Sequence, residues 1–187
     1  MRSILLSAAL LASFGALADD ATWLPEARKV ASTVPPKLLQ VLTDEIAKDG
    51  PASAMGVCRE KAPLMAKAAS EQTGWNIKRV SLQNRNPKAA PDAWERAALE
   101  DFDRRAAAGE SPATLEKAEA IVDSGRTEYR YMKALPVQQI CLTCHGKAEA
   151  LLPEVSTQLH TLYPADKAVG YSLGQIRGAM TLRKLQP

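Results

Sequence analysis

Between residues 19 and 48 the apolar positions recur at helical spacing. Beyond Ser32-Thr33 and Pro35-Pro36, a cluster that marks a helix entry or a kink, Leu38, Leu39, Val41, Leu42 and Ile46 fall mostly on one stripe. Lys37, Asp44 and Lys48 lie largely off it. Asp49-Gly50-Pro51 breaks the pattern, and a second helix is predicted from about Ala52 to Gln72, closed by Gly74. Pro63 lies inside that helix and strips the Arg59 carbonyl of its partner, so a bend is expected near Arg59. At Trp75 the period shortens. Trp75, Ile77, Arg79 and Ser81 alternate with Asn76, Lys78, Val80 and Leu82, which predicts a strand. Its apolar face switches between Ile77 and Val80, the mark of a bulge or of burial on both sides.

Asn84-Arg85-Asn86-Pro87 is a turn-rich loop. Pro91-Asp92 opens a helix that runs through Trp94, Ala98, Leu99 and Phe102 to about Ala108, where Gly109 stops it. Leu115 to Val122 and Thr127 to Met132 read as two strands joined across Asp123-Ser124-Gly125-Arg126. Glu and Ala in the first of them favour helix, which blurs its start. Pro153 to Leu162 is a short helix. Tyr163-Pro164-Ala165-Asp166, with Gly170 and Gly174, forms an irregular loop, and Ile176 to Leu185 a last strand, edge or central. Helices first, then strands mixed with short helices, describe an α+β domain with a small antiparallel sheet.

Residues 1–18 stand apart from this pattern. Arg2, an apolar run from Ile4 to Leu17, and Ala16-Leu17-Ala18 before Asp19-Asp20 read as a secretory signal peptide, leaving 19–187 as a single domain. The run is shorter than the ~20 apolar residues a membrane span needs, and nothing later approaches that length. Asp19, not a cysteine, follows the cleavage site, so a lipid anchor has no support. The mature chain is expected to be soluble and periplasmic. The formal charge of +3 falls by one when Arg2 is removed, too weak a field to argue for nucleic acid or membrane as a partner. The basic residues are interspersed with Asp and Glu, which reads as a solvated surface.

Cysteine usage changes the picture. Cys141-Leu142-Thr143-Cys144-His145 is the Cys-x-x-Cys-His signal for c-type haem attachment. On a helix, residues three and four apart lie at about 300° and 400° of rotation, so they share a face. Cys141 and Cys144 then reach the two vinyl groups of one porphyrin, and His145 turns an imidazole nitrogen toward the iron. Pro136 sits where a first helical turn would begin and Gly146 where one would end. A dithiol or half a zinc site would share the cysteines, but not the histidine together with the export signal. One motif implies one haem.

The iron's second axial position decides the chemistry. Its candidates are Cys58, Met55, Met65, Met132, Met180, His160, or nothing. Of the 3 cysteines Cys58 is the one outside the motif, a thiol without an intramolecular partner in an oxidising compartment. A buried inert cysteine or an intermolecular disulfide explains it as readily as ligation. The scattered methionines suit core packing, and His160 faces either solvent or haem. A thiolate ligand lowers the potential and a Met ligand raises it.

Longer stretches carry a resemblance. They are Val57-Cys58, Arg79-Val80-Ser81-Leu82-Gln83-Asn84-Arg85-Asn86-Pro87, Ala90-Pro91-Asp92-Ala93-Trp94-Glu95 and Arg130-Tyr131-Met132-Lys133. After them come Cys141 to Gly146, Tyr163-Pro164-Ala165-Asp166-Lys167-Ala168-Val169-Gly170-Tyr171, and Gly174-Gln175-Ile176-Arg177-Gly178-Ala179. Together they cover most of the mature chain and resemble a family of PAS-like c-type haem domains, found as small exported proteins and as the sensing part of some histidine kinases. The resemblance implies a central antiparallel sheet flanked by helices, with one covalently bound haem c held against it. It also implies a His/Cys axial pair, which carries over to His145 and Cys58. The loop from Arg79 to Pro87 is expected near the haem, with Arg79 or Asn84 touching a propionate, or with Asn84 and Asn86 serving only as turn residues.

The expected function is that of a periplasmic monohaem cytochrome in redox sensing or single-electron transfer, working with a redox or signalling protein partner. The alternative is a haem enzyme or gas-binding protein, peroxidase-like or nitrite- or NO-handling, with an open or labile distal site. His160 or Arg79 would then supply distal acid–base chemistry, although neither lies in a recognisable catalytic motif.

Overall fold

The computed structural model of the chain describes residues 22–186, so the expected leader lies outside the described residues. The helices are α1 (Trp23–Asp49), α2 (Ala54–Gly56), α3 (Ala62–Thr73), α4 (Ala93–Ala107), α5 (Leu142–His145) and α6 (Pro153–Leu162). The strands are β1 (Asn76–Val80), β2 (Glu116–Asp123), β3 (Arg126–Pro136) and β4 (Ile176–Leu185). They form one antiparallel sheet in the order β1-β4-β3-β2. The expected α+β class, a small antiparallel sheet flanked by helices, is what the chain adopts. None of the described helices is long and apolar enough to cross a membrane.

The last strand is central, lying between β1 and β3. The β2–β3 hairpin closes with Asp123 opposite Arg126, and both loop residues take positive φ, Ser124 at 51° and Gly125 at 76°. That is the primed turn whose twist matches flanking strands. Strand β3 runs on to Pro136 rather than ending at Met132. Pro136 therefore terminates a strand instead of opening the attachment helix.

Both faces of the sheet are covered, which explains the mixed pattern of β1. Ile77 joins Tyr129, Tyr131, Met180 and Leu182 against Ala27, Val30 and Ala31 of α1 and the adjacent Trp75. Val80 joins Met132, Ala134 and Ala179 against Ala98, Leu99 and Phe102 of α4. Helix α1 stays helical through Pro35 and Pro36, and its buried residues lie in its first turns. Leu38, Leu39, Val41, Leu42 and Ile46 are only half-buried.

The second helix is interrupted as its proline requires. Between α2 and α3 the chain makes a π-helical turn, Val57–Lys61, in which Ala62 N–H donates to the Val57 carbonyl. Pro63 sits just beyond, at the start of α3, where an N–H is dispensable. The expected bend at Arg59 is thus a register change of one residue, and Cys58 rides on it.

Helix α4 docks through its N-terminus. Asp92 and Glu95 form a reciprocal capping box. Glu95 is fully buried, takes Thr181 Oγ1–H at 3.0 Å, and lies 3.3 Å from Lys78 Nζ and 3.6 Å from both Arg130 and Arg183. Arg130 also donates to Asp92 at 2.7 Å, and Arg183 pairs with the same carboxylate. One carboxylate thus serves cations and a hydroxyl on β1, β3 and β4. Its removal leaves buried charge unpaired. Glu95→Ala should cost about 3 kcal/mol in urea unfolding, whereas Arg104→Ala, which breaks an exposed pair with Asp101, should stay within about 0.5 kcal/mol.

Candidate haem site

The attachment stretch begins as a 3-10 turn, Gln139–Cys141, and continues into the single α-helical turn α5. Gly146 ends it by close approach: a Cβ there would lie 2.6 Å from the Leu142 carbonyl oxygen. A helix this short cannot satisfy its own last carbonyls. Arg85 Nη2–H donates to the Cys144 carbonyl at 2.6 Å, Tyr171 N–H to that of His145 at 2.9 Å, and Gly170 N–H to that of Gly146 at 2.8 Å. The loop from Tyr163 to Tyr171 is thereby laid along the turn.

The two cysteines look in different directions. Cys141 packs with Val137, Ala168 and Tyr171. Cys144 packs with Met55, Val155, Leu159 and Tyr163. Burial pushes the Cys144 thiol up to about 11; the Arg85 guanidinium works against that shift, and the neighbouring Cys58 and Cys141 thiols add to it. Cys58 also acts on Tyr163. The π-helical turn therefore sets Cys58, half-buried, within electrostatic reach of Cys144 and Tyr163.

His145 completes the group. Its Nδ1 lies 2.6 Å from the Ala168 carbonyl oxygen, which can only accept, so Nδ1 carries the proton and the lone pair sits on Nε2. Arg177 directs its Nε–H at the ring edge, 3.2 Å from Nδ1 and 3.4 Å from Nε2. Burial, then the charges of Arg177 and Arg85, hold the imidazole neutral, well below its usual pKa. A neutral imidazole anchored at one nitrogen is the form that binds a metal through the other.

The expectation of solvated basic residues fails where it matters most. Arg85, Arg130 and Arg177 are 5%, 6% and 4% exposed. Arg177 donates Nη1–H to Ser81 Oγ at 2.9 Å and to the Gln83 carbonyl at 3.1 Å, and has no carboxylate partner among the described residues. It stacks near Tyr171, 5.4 Å from the ring centroid, and burial lowers its pKa to about 10. Arg79 is exposed, has no ion pair among the described residues, and lies close enough to act on Arg177, His145 and Tyr163. Arg85 and Arg177 were not singled out by the sequence reading. Their only signal was their place inside two of the resembling stretches.

Other candidates separate cleanly. Met132 and Met180 belong to the two sheet clusters, and Met65 is a half-buried residue of α3. Met55 is buried beside Cys144. His160 is exposed on α6, away from the buried Val155 and Leu159. Asn84 donates to the Asn86 carbonyl, and Asn86 accepts from Lys88 N–H, so both act as turn residues. Among the described residues no three or more His, Cys, Asp or Glu side chains are grouped to hold a metal ion.

The raised pKa of Cys144 gives a direct check. In chain made without haem, the thiolate forms only as pH approaches about 11, so alkylation of Cys144 should keep accelerating with pH. Peptide mass spectrometry of the alkylation rate reads this out. A plateau at the ordinary thiol range, about 8.5, would contradict the buried thiol.

Comparison with known proteins places the fold and the family. The structure is similar to the crystal structure of the cyanobacterial haem-protein Tll0287, with a TM-score of 0.62 and 23% identity over 90% of this chain and 96% of that one. No curated protein matches. The Tll0287-like family (Tll0287) matches residues 16–184. By that match across nearly all of its length, the chain belongs to the Tll0287-like family.

Proposed function

We propose that the chain is an exported, periplasmic monohaem c-type cytochrome of PAS-like fold, acting in redox sensing or single-electron transfer. Residues 1–18 would be its leader and 19–187 its haem domain. Cys141 and Cys144 would form the thioethers, and His145 and Cys58 the axial pair. The observation that carries the reading is an Nδ1-anchored imidazole beside the half-buried Cys144 thiol, with the half-buried Cys58 thiol within electrostatic reach of Cys144.

The surroundings suit such a group. Met55, Val155, Leu159 and Tyr163 on one side, and Val137, Ala168 and Tyr171 on the other, supply the apolar contacts a porphyrin needs. Arg177 and Arg79, neither paired with a carboxylate among the described residues, supply positive charge for propionates. Once bound, the haem supplies a one-electron iron couple whose potential its axial ligands set. The chain's part is to hold His145 in one tautomer, exclude water around Cys144, and keep Cys58 on a turn whose backbone has a residue to spare. With both axial positions filled by protein, electron exchange is favoured over chemistry at the iron, and any signal passes to another protein.

Optical and EPR spectra of wild type beside Cys58→Ser, with and without CO, test the axial pair. Wild type should be low-spin with thiolate character and resist CO when reduced, and the variant should lose that signature. Matching spectra with ready CO binding would make Cys58 a bystander and favour a gas-binding or enzymatic role. On denaturing gels, the Cys141→Ala/Cys144→Ala double variant should lose all haem staining. Undiminished staining would sink covalent attachment.

A further inference from the structure

The Ala168 carbonyl accepts twice. It takes His145 Nδ1–H at 2.6 Å and Arg85 Nη2–H at 3.3 Å. The same guanidinium holds the Cys144 carbonyl at 2.6 Å and pairs through Nε with Asp166 Oδ2 at 3.0 Å. Asp166 Oδ1 in turn accepts Ala168 N–H at 2.8 Å. Arg85 is 5% exposed and the Asp166 side chain 10%. A charged pair is thus buried against both hydrogen-bonding ends of the residue that holds the histidine.

Hydrogen bonding to a histidine's distal nitrogen sets its strength as a ligand. The more strongly a carbonyl draws the Nδ1 proton, the more electron density reaches the other nitrogen, and the more the oxidised metal is favoured. A cation donating to that carbonyl weakens its pull, because the lone-pair density is shared with the stronger, charge-assisted donor. Buried charge near an iron also acts directly, a positive one favouring the reduced state.

We propose that Arg85, balanced by Asp166, is a positioning residue that moderates electron donation by His145 through the Ala168 carbonyl. The proposal rests on the haem reading above. Arg85 is almost fully buried, and its hydrogen bonds to oxygen go to Asp166 and to the Cys144 and Ala168 carbonyls. It acts through two main-chain carbonyls, and its charge rather than its size is the working property.

Opposite substitutions separate charge from scaffolding. Redox titration of the haem-loaded protein should find Arg85→Gln at lower midpoint potential than wild type and Asp166→Asn at higher. Arg85→Lys, which keeps the charge but loses the fork, should stay near wild type in potential while melting earlier. A merely structural role loosens the loop in both Arg85→Gln and Asp166→Asn, so both would melt earlier and shift in the same direction. That result, or no shift in either, overturns the proposal. If Arg85→Gln fails to load haem, Asp166→Asn decides alone: upward supports, downward or unchanged overturns. A wild-type chain that carries no covalent haem on a stained gel takes the haem reading down first, and this proposal with it.

Discussion

The arrangement depends on a shortage of hydrogen-bond partners. Helix α5 is four residues long, so the carbonyls of Cys144, His145 and Gly146 have no helical donors of their own. They are met from elsewhere: by a guanidinium from the loop after β1 and by two amides from the loop before β4. Buried polar groups left unmet cost roughly 1–3 kcal/mol each, so these segments are held where the turn needs them. The same contacts bring Ala168 to His145. Satisfying a short helix and orienting its histidine are one event.

The sheet supplies the platform. Helix α1 closes one face with small side chains, Ala27, Val30 and Ala31, under a layer of aromatics. Helix α4 closes the other with Phe102 and Leu99 toward one end and the Asp92–Glu95 ion cluster toward the other. Lys78, Arg130 and Arg183 occupy neighbouring strands, so a single helix end ties β1, β3 and β4 together. Most of the buried apolar side chains belong to these two faces and to the clusters around Cys144 and Cys141.

How much of this was legible followed the range of the interactions. Helices α4 and α6 could be read nearly to the residue, because Asp92, Gly109 and Pro153 act locally. The hairpin could be read because Ser124-Gly125 favours the turn on its own. The central place of β4 could not, since strand order is set by pairings far apart in sequence. Pro136 was read as a helix start but ends a strand, because a proline suits both places and only the pairing with β4 decides. The Cys-x-x-Cys-His motif and Cys58 announced themselves by residue type. Arg85 and Arg177 did not, because an arginine in sequence looks like surface until a fold surrounds it with carbonyls. The Cys58 turn was half-visible: Pro63 signals a break, but not that a π-helical register absorbs it.

The partner of His145 is a peptide carbonyl, not a side chain. Every amino acid carries that group, so no replacement at position 168 can delete it; the demands on the residue are smallness, since Ala168 is fully enclosed, and an N–H for Asp166. Inherited variation in this loop is therefore filtered by volume and by backbone path, while the group that anchors the imidazole is invisible to the genetic code. Relatives can drift far in the letters of this segment and keep the same bond, so that spelling is a poor guide to whether it survives.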